Sequence, residues 1–444
     1  MQTDTSAERL YRQPAELLRA LLRFDTTNPP GNESACIEYI AAQLRAVDVM
    51  PQILARDEGR PNLVAKIAGR GIAPPLLLYG HVDVVTTHDQ DWTHPPFAAA
   101  VADGFIWGRG ALDMKGGVAM LLAAFMRAQV EGASVPGDIV LALVSDEENL
   151  GHYGAGFLVE EHADLFAGIR YALGEFGGFS TALGNRVFYP IMVAEKQSCL
   201  VRATIRGPGG HASLPLRDSA MARLGRLLRR LNRQRLPVHV TPVARLMIET
   251  LAAELPWAQR AVLRQLLTPA LTDRALGLLG TQGSFFDPLL HNTVSPTIVQ
   301  GGEKLNVHPS KITLELDGRI LPGYSGDDLL RELRVLAGPH VELELGGFDP
   351  NPAPAQPDMG LFPLLSNILR EADPAGIPLP LLLSAVTDGR YFSRLGIQTY
   401  GFLPMKLPPG WDFSQVIHAA DERIPVEAVA FGAEAIYQAL LRFR

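Results

Sequence analysis

A histidine, five carboxylates and a second histidine stand in this 444-residue chain where strands should end and helices begin. His81 follows the apolar run Leu76-Leu77-Leu78-Tyr79, and Asp83 comes two residues later. Asp113 closes GRGALD just ahead of a helix. Glu147 and Glu148 follow IVLALVSD, Glu175 follows YALG, and His418 stands in IHAADE. Imidazole and carboxylate together suit zinc and its neighbours, and no thiolate is offered. The ligand candidates are therefore His81, Asp113, Glu148, Glu175 and His418. If one carboxylate bridges two ions, each ion has a histidine, a terminal carboxylate and a share of the bridge. Paired ions roughly 3.5–4 Å apart are common in aminopeptidases. Glu147 stands beside a ligand and is free to take a proton from water. In an extended chain Asp83 falls on the same side as His81 and can fix its tautomer. Alone, His81 reads as a core histidine and Asp146-Glu147-Glu148 as a solvated helix start. Their joint register after buried strands favours a metal site.

The elements that must position these groups alternate between strand and helix. Apolar runs predict strands over Leu63–Ile67, Leu76–Val85, Ile139–Ser145, Tyr171–Gly174 and Ile397–Phe402. Periodic stretches predict helices over Ala7–Arg23, from a cap at Asn32 or Ser34 to about Val47, and over Gly116–Val130, Leu361–Ala372 and Val426–Arg442. This is an α/β sheet with helices on both faces and ligands gathered at the carboxyl ends of its strands. After about Glu195 the pattern changes. Ser198–Gly207, Ser219–Arg235, Thr293–Gly301, Lys311–Ile320, Asp327–Ala337 and Val341–Leu345 read β-α-β-β-α-β, a split βαβ sandwich. A helical stretch near Thr241–Leu279 interrupts it. The expected domains are thus 1–195 and 349–444 as two parts of one catalytic domain, with 196–348 inserted between them and a Pro-rich return over Asp349–Pro357.

Hydrophobic residues make up 47% of the chain and charged residues 20%, with a formal charge of −7. That balance fits a soluble globular protein and argues against a general nucleic-acid binder. The basic stretch Arg223–Arg235 lacks interleaved aromatics and reads as a solvated face. Two distant cysteines, Cys36 and Cys199, form no disulfide framework, so a reducing, cytoplasmic setting is expected. The N-terminus has no apolar core of a signal peptide, and no run reaches membrane-spanning length, so no membrane partner is expected.

HVDVV, GRGALDMKGG, DEENLG, LGEFGG and IHAADE, in this order, resemble one family. It is that of the zinc-dependent aminoacylases, acetylornithine deacetylases, succinyl-diaminopimelate desuccinylases and glutamate carboxypeptidases, and this chain is nearest its carboxypeptidase S-like branch. The resemblance implies a mixed-sheet α/β zinc-peptidase domain carrying an inserted α+β, ferredoxin-like lid that pairs two chains as a homodimer. It implies two Zn2+ per subunit, with Co2+ or Mn2+ as substitutes. His81 and Glu175 would hold one ion, Glu148 and His418 the other, and Asp113 would bridge them ahead of a cis peptide. Glu147 would be the general base and Asp83 the orienter of His81. His211, in GPGGHASLP, would reach the partner subunit's site to steady the oxyanion, helped by Asn306. Arg319, in LDGRILPG, would meet a substrate carboxylate, where bidentate pairing favours arginine. TDGRYF, from Thr387, resembles a substrate-binding turn, although Ser384-Ala385-Val386 replace the usual glycines. His291 and His308 receive no role.

The reading implied is hydrolysis of an amide bond next to a free carboxylate, in a small peptide or an N-acyl amino acid. Two others compete with it: an aminopeptidase with the same metal chemistry, and a catalytically silent binding module on the same scaffold.

Overall fold

The strands Leu76–His81 and Ile139–Val144 are buried at every position, which is what a sheet covered on both faces demands of its central members. In the computed structural model, which describes residues 10–348, 353–411 and 413–444, the two run parallel, with Leu76 opposite Ile139 and His81 opposite Val144. Tyr171–Gly174 runs parallel on the other side of Leu76–His81. These three strands are the middle of a nine-stranded mixed sheet. Parallel alignment brings the residues after His81, Val144 and Gly174 to one edge of that sheet. The helix Lys115–Val130 is buried around most of its circumference and packs against the helices Pro14–Leu22 and Val426–Arg442. A small three-stranded sheet, with Arg423 opposite Trp107 and Ala100 opposite Trp107 on the other side, anchors the segment that leads into the closing helix.

The chain divides into two units. One comprises the chain up to Val193 with Asp358–Leu381 and Thr387–Arg444, and the other comprises Ala194–Pro357 with Leu382–Val386. The second unit has a four-stranded antiparallel sheet in the order Thr293–Gln300, Lys311–Ile320, Gln197–Arg206, Val341–Phe348. Two helices, Ala220–Arg233 and Gly326–Ala337, cover it through Leu224, Leu227, Leu329 and Leu333, which join Val201 and Leu316 in a common core. Side-chain caps open both helices. Ser219 accepts from the Ala222 amide, and Ser325 with Asp328 forms a reciprocal capping box.

Three differences from the sequence reading have physical causes. The strands Arg186–Glu195 and Gly376–Leu383 were not expected, because Pro190, Pro378 and Pro380 demote such runs. Gly376–Leu383 is the last strand in the sheet order, an edge position where a missing N–H is tolerated. The helical interruption is longer than Thr241–Leu279, ending with a helix Gly283–Leu290 that Gly280, Gly283 and an internal Pro288 hide from periodicity. The strand predicted to reach Val85 stops at His81. Part of the predicted helix start at Ala7 and part of the return at Asp349 lie outside the described residues.

Candidate metal centre

His81 ends its strand 1% exposed. Its Nε2 lies 3.1 Å from Asp113 Oδ1. Its Nδ1 lies 3.0 Å from the main-chain oxygen of Asp83 and 3.5 Å from the carboxylate. The backbone carbonyl of Asp83 is therefore the nearer acceptor. The Asp83 carboxylate accepts the amides of Glu147 at 3.2 Å and Glu148 at 3.1 Å, and the Asn28 side chain at 2.9 Å. The group read as an orienter of His81 also fixes the turn that carries the acidic pair.

Asp113 sits directly before the helix Lys115–Val130 and before a cis Asp113–Met114 bond. Its second oxygen lies 2.9 Å from His418 Nε2, so one carboxylate stands between the two histidines. Glu147 and Glu148 form a single 3-10 turn after Ile139–Val144, entered through Asp146 in the left-handed region at φ +72°. Glu148 Oε1 lies 3.3 Å from His418 Nε2. Glu175 follows Tyr171–Gly174 and is buried. Ligand atoms of His81, Asp113 and Glu175 lie within 4.8 Å of one another, and so do those of Asp113, Glu148 and His418. The two groups share Asp113.

The electrostatics are those of a site built for added positive charge. Burial, then the neighbouring charges of Asp388 and Glu148, pushes the Glu147 carboxyl well above its usual range. Burial, Glu147 and Asp113 do the same to Glu175. Glu175 Oε2 is buried with no hydrogen-bond partner among the described residues. Burial pulls His81 down, but hydrogen bonds to Asp113 and Asp83 hold it well above its usual range. Asp113 and Glu148 push His418 up to about 10. Crowded, desolvated carboxylates of this kind are costly unless paired or bound to metal. The donor set, two imidazoles and three carboxylates around a shared Asp113, fits two divalent cations that accept nitrogen and oxygen ligands.

All five ligand candidates, with Glu147 and Asp83, meet in the first unit. His211, Asn306 and Arg319 lie in the second. His211 and Asn306 share a two-stranded ribbon, in which His211 pairs with Val307 and the Asn306 carbonyl accepts the Ala212 amide at 3.0 Å. Both are exposed, and His211 Nδ1 faces Ser213 Oγ at 2.7 Å. Arg319 lies opposite Ser198, while Lys311 at the other end of the same strand lies opposite Arg206. Eight residues of strand, roughly 26 Å at about 3.3 Å each, separate the two ends. Asp317 engages the Arg319 guanidinium through Nε at 2.8 Å and Nη2 at 2.9 Å.

Several residues at the site carried no role in the sequence reading. In the TDGRYF turn, Arg390 Nη1 lies 3.9 Å from Glu147 Oε1 and donates to the Leu150 carbonyl at 2.8 Å through Nη2. Burial pushes the Asp388 carboxyl of the same turn up to about 7. Ser384, Ala385 and Val386 all keep φ outside the left-handed region, so the turn stands without glycine. Behind the acidic pair, Arg60 bonds Glu33 at 2.8 Å and Asp146 at 2.8 Å, with side-chain exposures of 9%, 0% and 1%. Glu422, part of IHAADE, accepts from the loop that presents Asp113.

Known proteins resemble this chain in sequence and in fold. The chain is 29% identical over 368 residues to a protein of Dictyostelium discoideum named probable carboxypeptidase S-like 2, covering 80% of this chain and 68% of that one. It is 27% identical over 437 residues to aminoacylase-1 of Homo sapiens, covering 96% and 93%. Its fold matches the crystal structure of the M20 family metallo-carboxypeptidase Sso-CP2 from Sulfolobus solfataricus with a TM-score of 0.67 at 17% identity, over 97% of this chain and 98% of that one. The profile of peptidase family M20/M25/M40 matches residues 77–442, a span that contains every ligand candidate from His81 to His418, and the chain therefore belongs to that family of metal-dependent amide hydrolases.

Proposed function

We propose that this protein hydrolyses the amide bond of N-acyl amino acids or small peptides next to a free carboxylate, with two zinc ions held by its first unit. The observation that carries the reading is the pair of histidine–carboxylate groups sharing Asp113, with a buried carboxylate, Glu147, beside one of the ligands. His81 and Glu175 would hold one ion, and Glu148 and His418 the other. Bound ions supply Lewis acidity for the scissile carbonyl and lower the pKa of water toward about 7. Glu147 removes a proton from the attacking water and delivers it to the leaving amine as the C–N bond breaks. Arg390, close to Glu147 Oε1, keeps that carboxylate turned toward its task. Asp83 holds the His81 tautomer through its backbone carbonyl and the acidic turn through its side chain.

Recognition of a free carboxylate is assigned to Arg319. A guanidinium has five donors, and the pairing with Asp317 engages Nε and Nη2, which leaves Nη1 for a substrate. His211 and Asn306, at the other end of that strand from Arg319, are assigned to the oxyanion of the partner subunit's site. Support for a homodimer comes from the edge strand Thr293–Gln300, most of whose residues are exposed, including Ile298 at 53% and Val299 at 59%. Unpaired apolar edges of this kind pair with another chain unless blocked. The two cysteines are free and buried, which supports a cytoplasmic setting. No helix among the described residues is long and apolar enough to cross a membrane.

The test of the substrate class is turnover by zinc-loaded protein on matched N-acyl amino acids and dipeptides, each as free acid and as C-terminal amide. The expected result is turnover of the free acids, lost in Arg319→Met through KM. Turnover of amides bearing a free amine moves the protein to the aminopeptidases. A metal-loaded protein inert on the whole panel makes it a binding module.

A further inference from the structure

Glu422 is fully buried and its carboxylate takes four donors. Oε1 accepts the amides of Leu112 at 2.7 Å and Asp113 at 3.1 Å. Oε2 accepts the Gly110 amide at 3.0 Å and Arg109 Nη1 at 2.7 Å. Three backbone amides of the loop that ends in Asp113 therefore converge on one side chain four residues beyond His418. Gly110 makes the convergence possible, since its φ of +87° turns the amide inward and a Cβ there would meet Val84 at 2.8 Å.

Arg109 extends the same contact to the second histidine. It is 1% exposed. Its Nη2 reaches Gln90 Oε1 at 2.8 Å and the His418 carbonyl at 3.3 Å, and Gln90 Nε2 donates to that same carbonyl at 3.0 Å. The guanidinium stands 5.1 Å from the centre of the Trp92 ring, within cation–π range. One buried ion pair thus grips both the backbone of Asp113 and the backbone of His418, while the Asp113 carboxylate meets the two imidazoles at 3.1 and 2.9 Å.

We propose that Arg109 and Glu422 are positioning residues of the metal centre: the pair fixes where Asp113 and His418 meet, and so sets occupancy of the ion that those two share with Glu148. This rests on the metal reading given above. Both side chains are closed off from solvent. A buried ion pair with a merely structural role would change the stability of the fold and leave the affinity of a folded site alone. A pair that aims ligands changes metal affinity and kcat in protein that is still folded, because groups behind the ligands typically govern about 10–100-fold in affinity or activity.

Three variants separate the cases. Glu422→Asp keeps the charge but withdraws the carboxylate by one methylene, so it no longer spans the three amides. Glu422→Gln presents an amide NH2 to donors whichever way it turns. Arg109→Lys keeps the charge and loses the fork that serves Glu422, Gln90 and the His418 carbonyl together. Each chelator-stripped protein is titrated with Co2+ and followed by visible absorption and by ions bound per chain, with circular dichroism to confirm folding. For the folded variants the expected result is an affinity for the second ion lower by about 10–100-fold, and after loading a fall in kcat with KM within about threefold of wild type. If Glu422→Gln does not fold, Glu422→Asp and Arg109→Lys carry the test. Wild type taking two ions, with both of those variants matching its affinity, overturns this inference alone. Wild type taking no cobalt overturns the metal centre and this inference with it.

Discussion

Loading the metal centre should expel protons, and the number follows from the contacts of Asp113. Asp113 faces His81 Nε2 at 3.1 Å and His418 Nε2 at 2.9 Å. These contacts favour the charged form of both imidazoles. His418 is pushed up to about 10 by Asp113 and Glu148. His81 is held well above its usual range by Asp113 and Asp83, against the pull of burial. A ligating histidine must be neutral, so each surrenders a proton on binding. Burial also favours the protonated form of Glu175, which adds to the release when it ligates. At least two protons should therefore leave per pair of ions. The sign follows: a group whose metal-free pKa lies above the working pH opposes metal, so affinity rises with pH and levels off only near that pKa, about 10 for His418. One proton per ion is about tenfold in affinity per pH unit, or about 1.4 kcal/mol. Filling both sites should strengthen about 100-fold between pH 6.5 and 7.5. Calorimetric titration of zinc into chelator-stripped protein, repeated in buffers of different ionisation enthalpy, counts the protons directly. The opposite outcome is release of fewer than one proton per pair, with affinity flat from pH 6 to 8. It would mean the histidines are already neutral and the Asp113 contacts are not ion pairs.

Two further outcomes are expected. Arg60→Met strands Glu33 and Asp146, which are 0% and 1% exposed, and breaking a buried pair this way costs about 3–5 kcal/mol; scanning fluorimetry should record a Tm lower by about 3–9 °C, and a Tm within about 1 °C of wild type would deny the network its weight. Replacing both Ile298 and Val299 by Asp puts charge on the exposed edge strand, and light scattering should then read a monomer where wild type reads a dimer. A wild-type monomer that hydrolyses substrate contradicts a shared site.

Much of the centre was legible in the chain because the signals are local. Each ligand candidate follows an apolar run or precedes a helix, and the burial of Leu76–His81 and Ile139–Val144 at every position is the strand pattern seen in the sequence. What stayed hidden depends on contacts across hundreds of residues. The Asp83 carboxylate meets the amides of Glu147 and Glu148, 64 and 65 positions away, and only the fold reveals that it braces the acidic turn. Glu422 was visible within IHAADE, but the donors that give it meaning lie 309 to 313 residues earlier. The Pro-containing strands Arg186–Glu195 and Gly376–Leu383 were hidden for another reason: local propensity points away from strand, and tertiary pairing overrides it.

The central claim is that a dinuclear site sharing Asp113 hydrolyses an amide with Glu147 as the base. The most direct test is to measure ions bound per chain and kcat on an N-acyl amino acid for zinc-loaded wild type and Glu147→Gln side by side. Two ions are expected in both proteins, with kcat lower by about 10²–10⁴-fold in the variant. A single ion in wild type, or a variant that holds two ions and turns over at the wild-type rate, would rule out this site and this base.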